Sequence, residues 1–332
     1  MELRKLGRTA LPLSVLGYGC GAVGGLMVKG EPAEQERSIA RAIELGITYF
    51  DTAALYGNGD SERNLGRVLN TLKPRGIYVG TKVNLAAADR KRIGAAIHEA
   101  MDASLSRLNR ESVDLFQLHN TISSGSGERM LSPEVVLEEV VPAFDQLRLH
   151  GKARFCGFTA VGDTSALHKL IDARVFDSAQ VSYNLLNPSA GSAVPAGYPA
   201  QDYGQLLERT RAANMGVINI RVLAGGALSG SDARHPYASP PPDPIGSGGS
   251  FKTDVARALK LEPLVKEGHA GSLIEASLRF AIANEAVTSV LVGTATLQEL
   301  ELAAAAVEKG PLSNEALARV KALQAGFAGE PR

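Results

Sequence analysis

The segment Ile47-Thr-Tyr-Phe-Asp51-Thr-Ala-Ala-Leu-Tyr56-Gly57 carries a carboxylate and a phenol, with a lysine (Lys82) and a histidine (His119) following further along the chain. A phenol is a poor acid at neutral pH, with an ordinary pKa of about 10. A nearby ammonium favours the phenolate and lowers that value. A buried ammonium in turn needs a carboxylate beside it. A histidine next to the phenol can hydrogen-bond and orient an oxygen. Asp51, Tyr56, Lys82 and His119 together would make a proton donor for a carbonyl oxygen that acquires charge during reduction. Taken singly, each has a plainer reading: a turn cap, a half-buried loop aromatic, a solvated strand end, a satisfied rim histidine.

What joins the four is their place after short apolar runs. Asp51 and Tyr56 follow Ile47–Phe50, Lys82 ends Ile77–Lys82, and His119 follows Val113–Leu118. These runs are β-branched or aromatic and nearly continuous, as in buried parallel strands. Helical periods separate them: Ile39, Ala42 and Ile43 before Gly46, residues 60–71, and Ile93, Ile97, Met101, Leu105 and Leu108. Ser132-Pro133 reads as a cap and first turn of a helix to about His150. Strands at 153–158, 178–183, 216–220 and 288–292 alternate with helices at 163–174, 201–214, 271–284 and 296–308, and a final helix spans 313–326.

Counting from Val15-Leu-Gly-Tyr-Gly-Cys gives eight strand–helix units with no linker between them. That pattern predicts an α/β fold, a (β/α)8 TIM barrel of one domain over 1–332, with extended loops at its C-terminal face. Residues 2–15 read as an N-terminal β-hairpin that plugs the barrel bottom. The Pro/Gly/Ser-rich segment 229–250 reads as a long loop at the catalytic face. Chemistry at the C-terminal ends of successive strands is what such a barrel supports. Gly19-Cys-Gly21-Ala-Val-Gly24 matches the G-x-G-x-x-G of dinucleotide-binding domains and follows a strand. That fingerprint needs a helix starting inside the glycine run. Gly30 and Pro32 postpone the helix to about residue 33, so a glycine-rich loop at a barrel mouth is the preferred reading.

Composition narrows the class. The 332 residues carry 35 basic and 35 acidic side chains, so no basic field points to nucleic acid and no asymmetry points to a membrane surface. Two cysteines, Cys20 and Cys156, lie far apart, without metal-ligand spacing. No apolar run approaches a membrane span and the N-terminus lacks an apolar signal region. A cytoplasmic protein acting on a small molecule, without a metal, is expected; oligomeric state is left open.

The chain resembles the aldo-keto reductase family in Gly46-Ile-Thr-Tyr-Phe-Asp51-Thr-Ala-Ala-Leu-Tyr56-Gly57, Gly80-Thr-Lys82-Val, Val113-Asp-Leu-Phe-Gln-Leu-His119-Asn120, Gly151-Lys-Ala-Arg-Phe-Cys-Gly157, Gln180-Val-Ser-Tyr-Asn184 and Leu223-Ala-Gly-Gly. The resemblance implies the same barrel with its hairpin, Tyr56 as general acid/base, Lys82 tuning it, Asp51 pairing with Lys82, and His119 orienting the carbonyl. It also implies hydride transfer with NAD(H) or NADP(H), and Gln180 as the contact to the nicotinamide carboxamide. Thr159-Ala160 stands where the family often has Ser-Asn, so only the hydroxyl is kept. Ile220 replaces a stacking aromatic and would offer apolar contact. Arg221 would bind the pyrophosphate or pair with an acid on the rim. Gly21, Ala22, Leu223, Gly293, Thr294 and Thr296 complete the expected cofactor contacts. Asn84 and Asn120, beside Lys82 and His119, would face the mouth and suit a hydroxylated substrate, or cap loops. Loops 121–133, 187–203 and 229–250 would supply the rest of the substrate pocket.

NADP-binding members usually place Lys or Arg after the eighth strand, against the 2′-phosphate. This chain has neither between Gly293 and Val307. Glu299 stands where an Arg is common, in a Thr296-x-x-Glu299 capping box with its carboxylate expected on the Thr296 amide. These features lean toward NAD(H), with Arg221 or Lys252 as the distant cations that would reverse the preference. The expected activity is interconversion of an aldehyde, ketone or sugar and its alcohol. Two other readings share the barrel: a non-catalytic subunit that senses the nicotinamide cofactor, and a cofactor-free isomerase or lyase using Lys82 as a Schiff-base former.

Overall fold

The computed structural model describes residues 1–125 and 127–332; Ser126, inside the expected 121–133 loop, lies outside the described residues. A hairpin of β1 (Leu3–Lys5) and β2 (Pro12–Ser14) precedes eight parallel strands. In chain order these are β3 (Leu16–Gly19), β4 (Tyr49–Asp51), β5 (Tyr78–Val83), β6 (Val113–Leu118), then β9 (Ala153–Ala160), β10 (Ser178–Ser182), β11 (Gly216–Ile220) and β12 (Val287–Gly293). Between β6 and β9 lies a two-stranded pair, β7 (Thr121–Ile122) and β8 (Met130–Leu131). Each barrel strand pairs with the next in chain order and β12 pairs with β3, which closes the barrel. The (β/α)8 architecture expected from the alternation is therefore the one observed.

Alternation within the strands decides what fills the barrel. Leu6, Leu11 and Leu13 of the hairpin pack with Tyr49, Leu115 and Ile218 in a cluster at the bottom. The Leu13 side chain is fully buried, and Leu6 bonds through its amide to the Leu11 carbonyl. Outside the strands, helices turn one apolar stripe inward. In the helix Asp60–Leu72, Leu65, Val68 and Leu69 are buried at helical spacing.

Several boundaries differ from the sequence expectation, each for a local reason. A one-turn helix, Leu26–Lys29, forms directly after Gly25, ahead of the helix Pro32–Glu44. Leu26 and Met27 are buried and the Leu26 amide bonds to the Thr294 carbonyl, so packing holds a turn that Gly30 then ends. The helix expected from Ser132 to His150 is interrupted by a π turn, Val136–Val140, before Val141–Leu149. Pro142 brings no amide to that helix, and the Val141 amide bonds back to Val136. The helix expected over 201–214 starts only at Leu206, because Gly204 and Gln205 adopt positive φ and Gln201 bonds to the neighbouring loops. A helix Phe251–Leu259, capped by Ser250, and a turn Pro263–Lys266 follow the 229–250 segment and were not read from the sequence.

Candidate active site

β4 points Tyr49 and Asp51 to the same face, because strand side chains alternate. Asp51 reaches the strand end, and the following turn, closed by the Tyr56 amide on the Ala53 carbonyl, brings Tyr56 back over it. β5 delivers Lys82 beside them. Its ammonium donates to Asp51 Oδ1, to the Thr52 carbonyl at 2.8 Å and to the Tyr56 hydroxyl at 3.2 Å. Both ions are buried: Lys82 is 1% exposed and Asp51 3%. His119 follows β6, its amide held by the Val83 carbonyl, and its ring stands edge-on to Tyr56 at 5.9 Å between centroids. The four residues that the sequence placed at the ends of three strands thus meet at one point.

The electrostatics of this group follow from burial. Burial alone would lower the Lys82 pKa; Asp51 and Tyr56 outweigh it, so the ammonium is held above its ordinary value. For Tyr56 the balance goes the other way. Burial raises the phenol most, Lys82 lowers it, Asp51 raises it again, and the net value is above 10.0. The sequence led us to expect a net lowering by Lys82; desolvation exceeds it, and the phenol keeps its proton at neutral pH. Burial, with Lys82 and Arg129 adding to it, pushes His119 down to about 3, so its ring is neutral. His119 Nδ1 is buried and without a partner among the described residues, which leaves Nε2 as the accessible nitrogen.

The group opens into a cleft of about 560 Å³. Tyr56 and His119 stand at one end. Gly21, Ala22, Thr159, Gln180, Ile220, Arg221, Leu223, Gly293, Thr294 and Glu299, expected from the sequence as cofactor contacts, line it. Gln180 lies across the inner wall: its amide nitrogen donates to Asp51 Oδ2 at 2.7 Å, and Thr159 donates to its oxygen at 3.4 Å. Arg221, at positive φ, donates to the Asp243 carbonyl rather than to an acid on the rim. Three expected contacts fall elsewhere. Thr296 lies outside the cleft and caps the helix Leu297–Glu308 by accepting the Glu299 amide. The Asn120 amide is buried on the Leu85 amide and carbonyl and the Arg129 carbonyl, and Asn84 donates to the His119 carbonyl. Both amides satisfy backbone groups just beyond where β5 and β6 stop pairing, and neither lines the cleft. Glu299 accepts the Ala295 amide at 2.7 Å instead of that of Thr296, because the chain turns one residue earlier.

The sequence reading did not single out Arg234, His235 and Ala238, which the 229–250 segment contributes to the cleft wall. Arg234 fastens that segment by donating to the carbonyls of Ser239, Gly225 and Val23, and the Ser239 amide bonds to Ala22. No periodicity marks these residues, and only the bonds across the cleft reveal them. Gly24 packs so closely on Thr294 that a β-carbon would collide with that backbone, and Gly25 meets the Tyr237 backbone of the 229–250 segment in the same way. These two glycines thus let the 19–25 loop, the end of β12 and the strap come together beside the cleft.

An elongated, mostly apolar cleft with a buried acid–ammonium–phenol set at one end is an arrangement for moving a proton at a bound oxygen. Comparison with known proteins gives the class. The description "Aldo/keto reductase family" matches residues 15–325, and the chain belongs to that family of oxidoreductases. Over 97% of its length it is 29% identical to L-galactose dehydrogenase of Arabidopsis thaliana, covering 94% of that protein. It is 25% identical to pyridoxal 4-dehydrogenase of Microbacterium luteolum, over 90% of this chain and 91% of that one. An aldo-keto reductase of Bacillus halodurans solved in its holo form superposes with a TM-score of 0.70 at 23% identity, covering 99% of this chain and 96% of the other, which bears on the fold.

Proposed function

We propose that the protein interconverts a carbonyl and an alcohol with a nicotinamide cofactor, and that Tyr56 is its general acid/base. The contact between the Lys82 ammonium and the Tyr56 hydroxyl, 3.2 Å apart beside the cleft, carries this reading. The residues fit such a cofactor. Gln180 and Thr159 offer amide and hydroxyl groups next to Tyr56, Ile220 offers an apolar face, Arg221 a cation midway, and the backbone at Gly21 and Gly293 leaves room. When bound, the nicotinamide supplies or accepts the hydride. The protein's part is to bind, orient and manage the proton. Neutral His119 hydrogen-bonds the carbonyl oxygen through Nε2, and Tyr56, protonated at neutral pH, donates to that oxygen as charge develops. Lys82 restrains the cost of the phenolate left behind, and Asp51 holds Lys82 in place. In the oxidative direction the Tyr56 phenolate takes the proton from the alcohol.

The substrate proposed is a small aldehyde, ketone or sugar; the likeness to L-galactose dehydrogenase supports including aldoses. The cofactor proposed is NAD(H) in preference to NADP(H). Glu299 lines the far end of the cleft, and a carboxylate there repels a 2′-phosphate. Of the cations nearby, Arg234 donates to three carbonyls and Arg221 to that of Asp243, while Arg37 is exposed and lines an adjoining pocket together with Glu34, whose carboxylate offsets its charge. Lys252 is exposed and outside the cleft lining. Turnover of a panel containing methylglyoxal, aromatic aldehydes and aldoses, followed with NAD(H) and NADP(H), tests the proposal. Absence of turnover across the panel, with cofactor bound, would favour a second reading, a cofactor-sensing subunit. One observation supports that reading: 35% identity over 171 residues, 47% of this chain, to a putative voltage-gated potassium channel subunit beta of Schizosaccharomyces pombe. A Schiff-base role for Lys82 has no support, since its nitrogen is held as an ammonium with three acceptors.

A further inference from the structure

The carboxylate of Asp51 has more partners than its pairing with Lys82 requires. Lys82 occupies Oδ1, while Oδ2 accepts from the Gln180 amide at 2.7 Å and from the Tyr49 hydroxyl at 2.9 Å. Tyr49 is fully buried. Burial, with the charge of Asp51 adding to it, pushes its phenol well above the ordinary value, so the proton stays on Tyr49 and the bond runs toward the carboxylate.

The barrel is built around this phenol. A β-carbon at Gly80, on the neighbouring strand, would overlap the Tyr49 oxygen, so glycine is what lets the hydroxyl stand there. Below, Tyr49 belongs to the buried cluster that joins Leu6, Leu11 and Leu13 of the hairpin to Leu115 and Ile218. Gln117 stands beside the Tyr49 hydroxyl and makes no hydrogen bond to Asp51, whose Oδ2 accepts from Tyr49 and Gln180 among the described residues. One residue thus reaches from the plug to the carboxylate.

We infer that Tyr49 is a positioning residue for proton transfer: anchored in the barrel core, its hydroxyl fixes the Asp51 carboxylate that holds Lys82 against Tyr56. The role rests on the reading of Tyr56 as proton donor. Gln180 is shared with the cleft, whereas Tyr49 has no access to it, so the Tyr49 bond holds Asp51 whatever Gln180 touches. Its donor also offsets part of the carboxylate's negative field. Without it, that field at Tyr56 grows and the phenol is harder to ionise.

Tyr49→Phe removes the oxygen and keeps the ring. For the carbonyl that the wild type reduces fastest, we expect kcat to fall about tenfold, the scale of one charge-assisted hydrogen bond. KM is expected to hold within about twofold on the same scale, and the alkaline limb of the pH–rate profile to move to higher pH. Gly80→Ala keeps Tyr49 but displaces its hydroxyl, and the same limb should move the same way. A purely structural role would lower the melting temperature and leave the profile in place. A folded Tyr49→Phe or Gly80→Ala protein with wild-type kcat and profile overturns the inference, as does failure of both to fold, which would assign Tyr49 to packing alone. Tyr56→Phe in the same assay separates the two claims. If it keeps turnover, the proton-donor reading fails; if it loses turnover while Tyr49→Phe is unaffected, only the role of Tyr49 fails.

Discussion

The two ends of the cleft are built differently. At the inner end, Asp51, Lys82 and Tyr56 stand on or just after barrel strands and bond to one another and to Thr52, Gln180 and Tyr49. At the outer end, Glu299, Arg234 and His235 come from a helix start and a strap, and Glu299 is exposed. In a buried, low-dielectric setting each charge is felt strongly by its neighbours; near solvent, water and salt screen it. The inner end is therefore suited to chemistry, and the outer end to modest discrimination between ligands.

Substitutions should reflect this gradient. The largest effect is expected for Tyr56→Phe, which removes the proton donor and leaves the ring. Carbonyl reduction should fall by about 10²–10⁴-fold, the usual worth of general acid catalysis. Cofactor binding, read as a thermal shift, should persist. Activity within a few-fold of wild type would erase the distinction between the two ends.

Lys82→Met comes next. It leaves Asp51 buried without its cation, and losing one partner of a buried pair costs about 3–5 kcal/mol. Denaturant unfolding should register that loss. The alkaline limb of the reductive pH profile should move up, because the ammonium that lowers the Tyr56 value is gone. An unmoved limb would mean that Lys82 serves structure alone.

A smaller change is expected at the outer end. Glu299→Ala should raise the ratio of kcat/KM with NADPH to that with NADH by about fivefold, near the upper range of a surface charge interaction. The gain should shrink at high salt. A wild-type ratio that already favours NADPH strongly would place the phosphate-reading residue elsewhere.

The smallest kinetic signature belongs to His119. Held neutral in the fold down to about 3, it should give reduction no acid limb near its ordinary 6.5. It should instead affect stability. Between pH 6.5 and about 3 the unfolded chain binds a proton that the folded one refuses, so stability falls as pH falls through that window. His119→Asn should flatten that slope relative to wild type in unfolding experiments at pH 4 to 7; parallel curves would show that the imidazole ionises in place.

Much of the inner end was legible from residues 47–57, 77–82 and 113–119. A strand imposes a two-residue period and a barrel orients all strands alike, so local sequence dictates which end each polar group reaches. The same alternation contained Tyr49, two residues before Asp51 on the same face, although the apolar run disguised it. Legibility failed where partners come from distant segments. Asn84 and Asn120 read either as substrate contacts or as loop caps, and only the fold shows that they satisfy backbone groups left open where β5 and β6 part. Thr296 read both as a helix cap and as a ligand contact; it caps the helix and lies outside the cleft lining.

The amino-acid sequence by itself determined the eight-unit barrel, the hairpin plug and the types of group at the strand ends, because hydrophobic period and glycine or proline breaks are local properties. Only the tertiary structure decided that burial outweighs Lys82 in setting the Tyr56 proton, that Arg234 ties the strap to Val23 and Gly225, and that Gly80 makes room for Tyr49. Each of those depends on desolvation or contact between segments far apart in the chain, and such terms exist only once the barrel has closed.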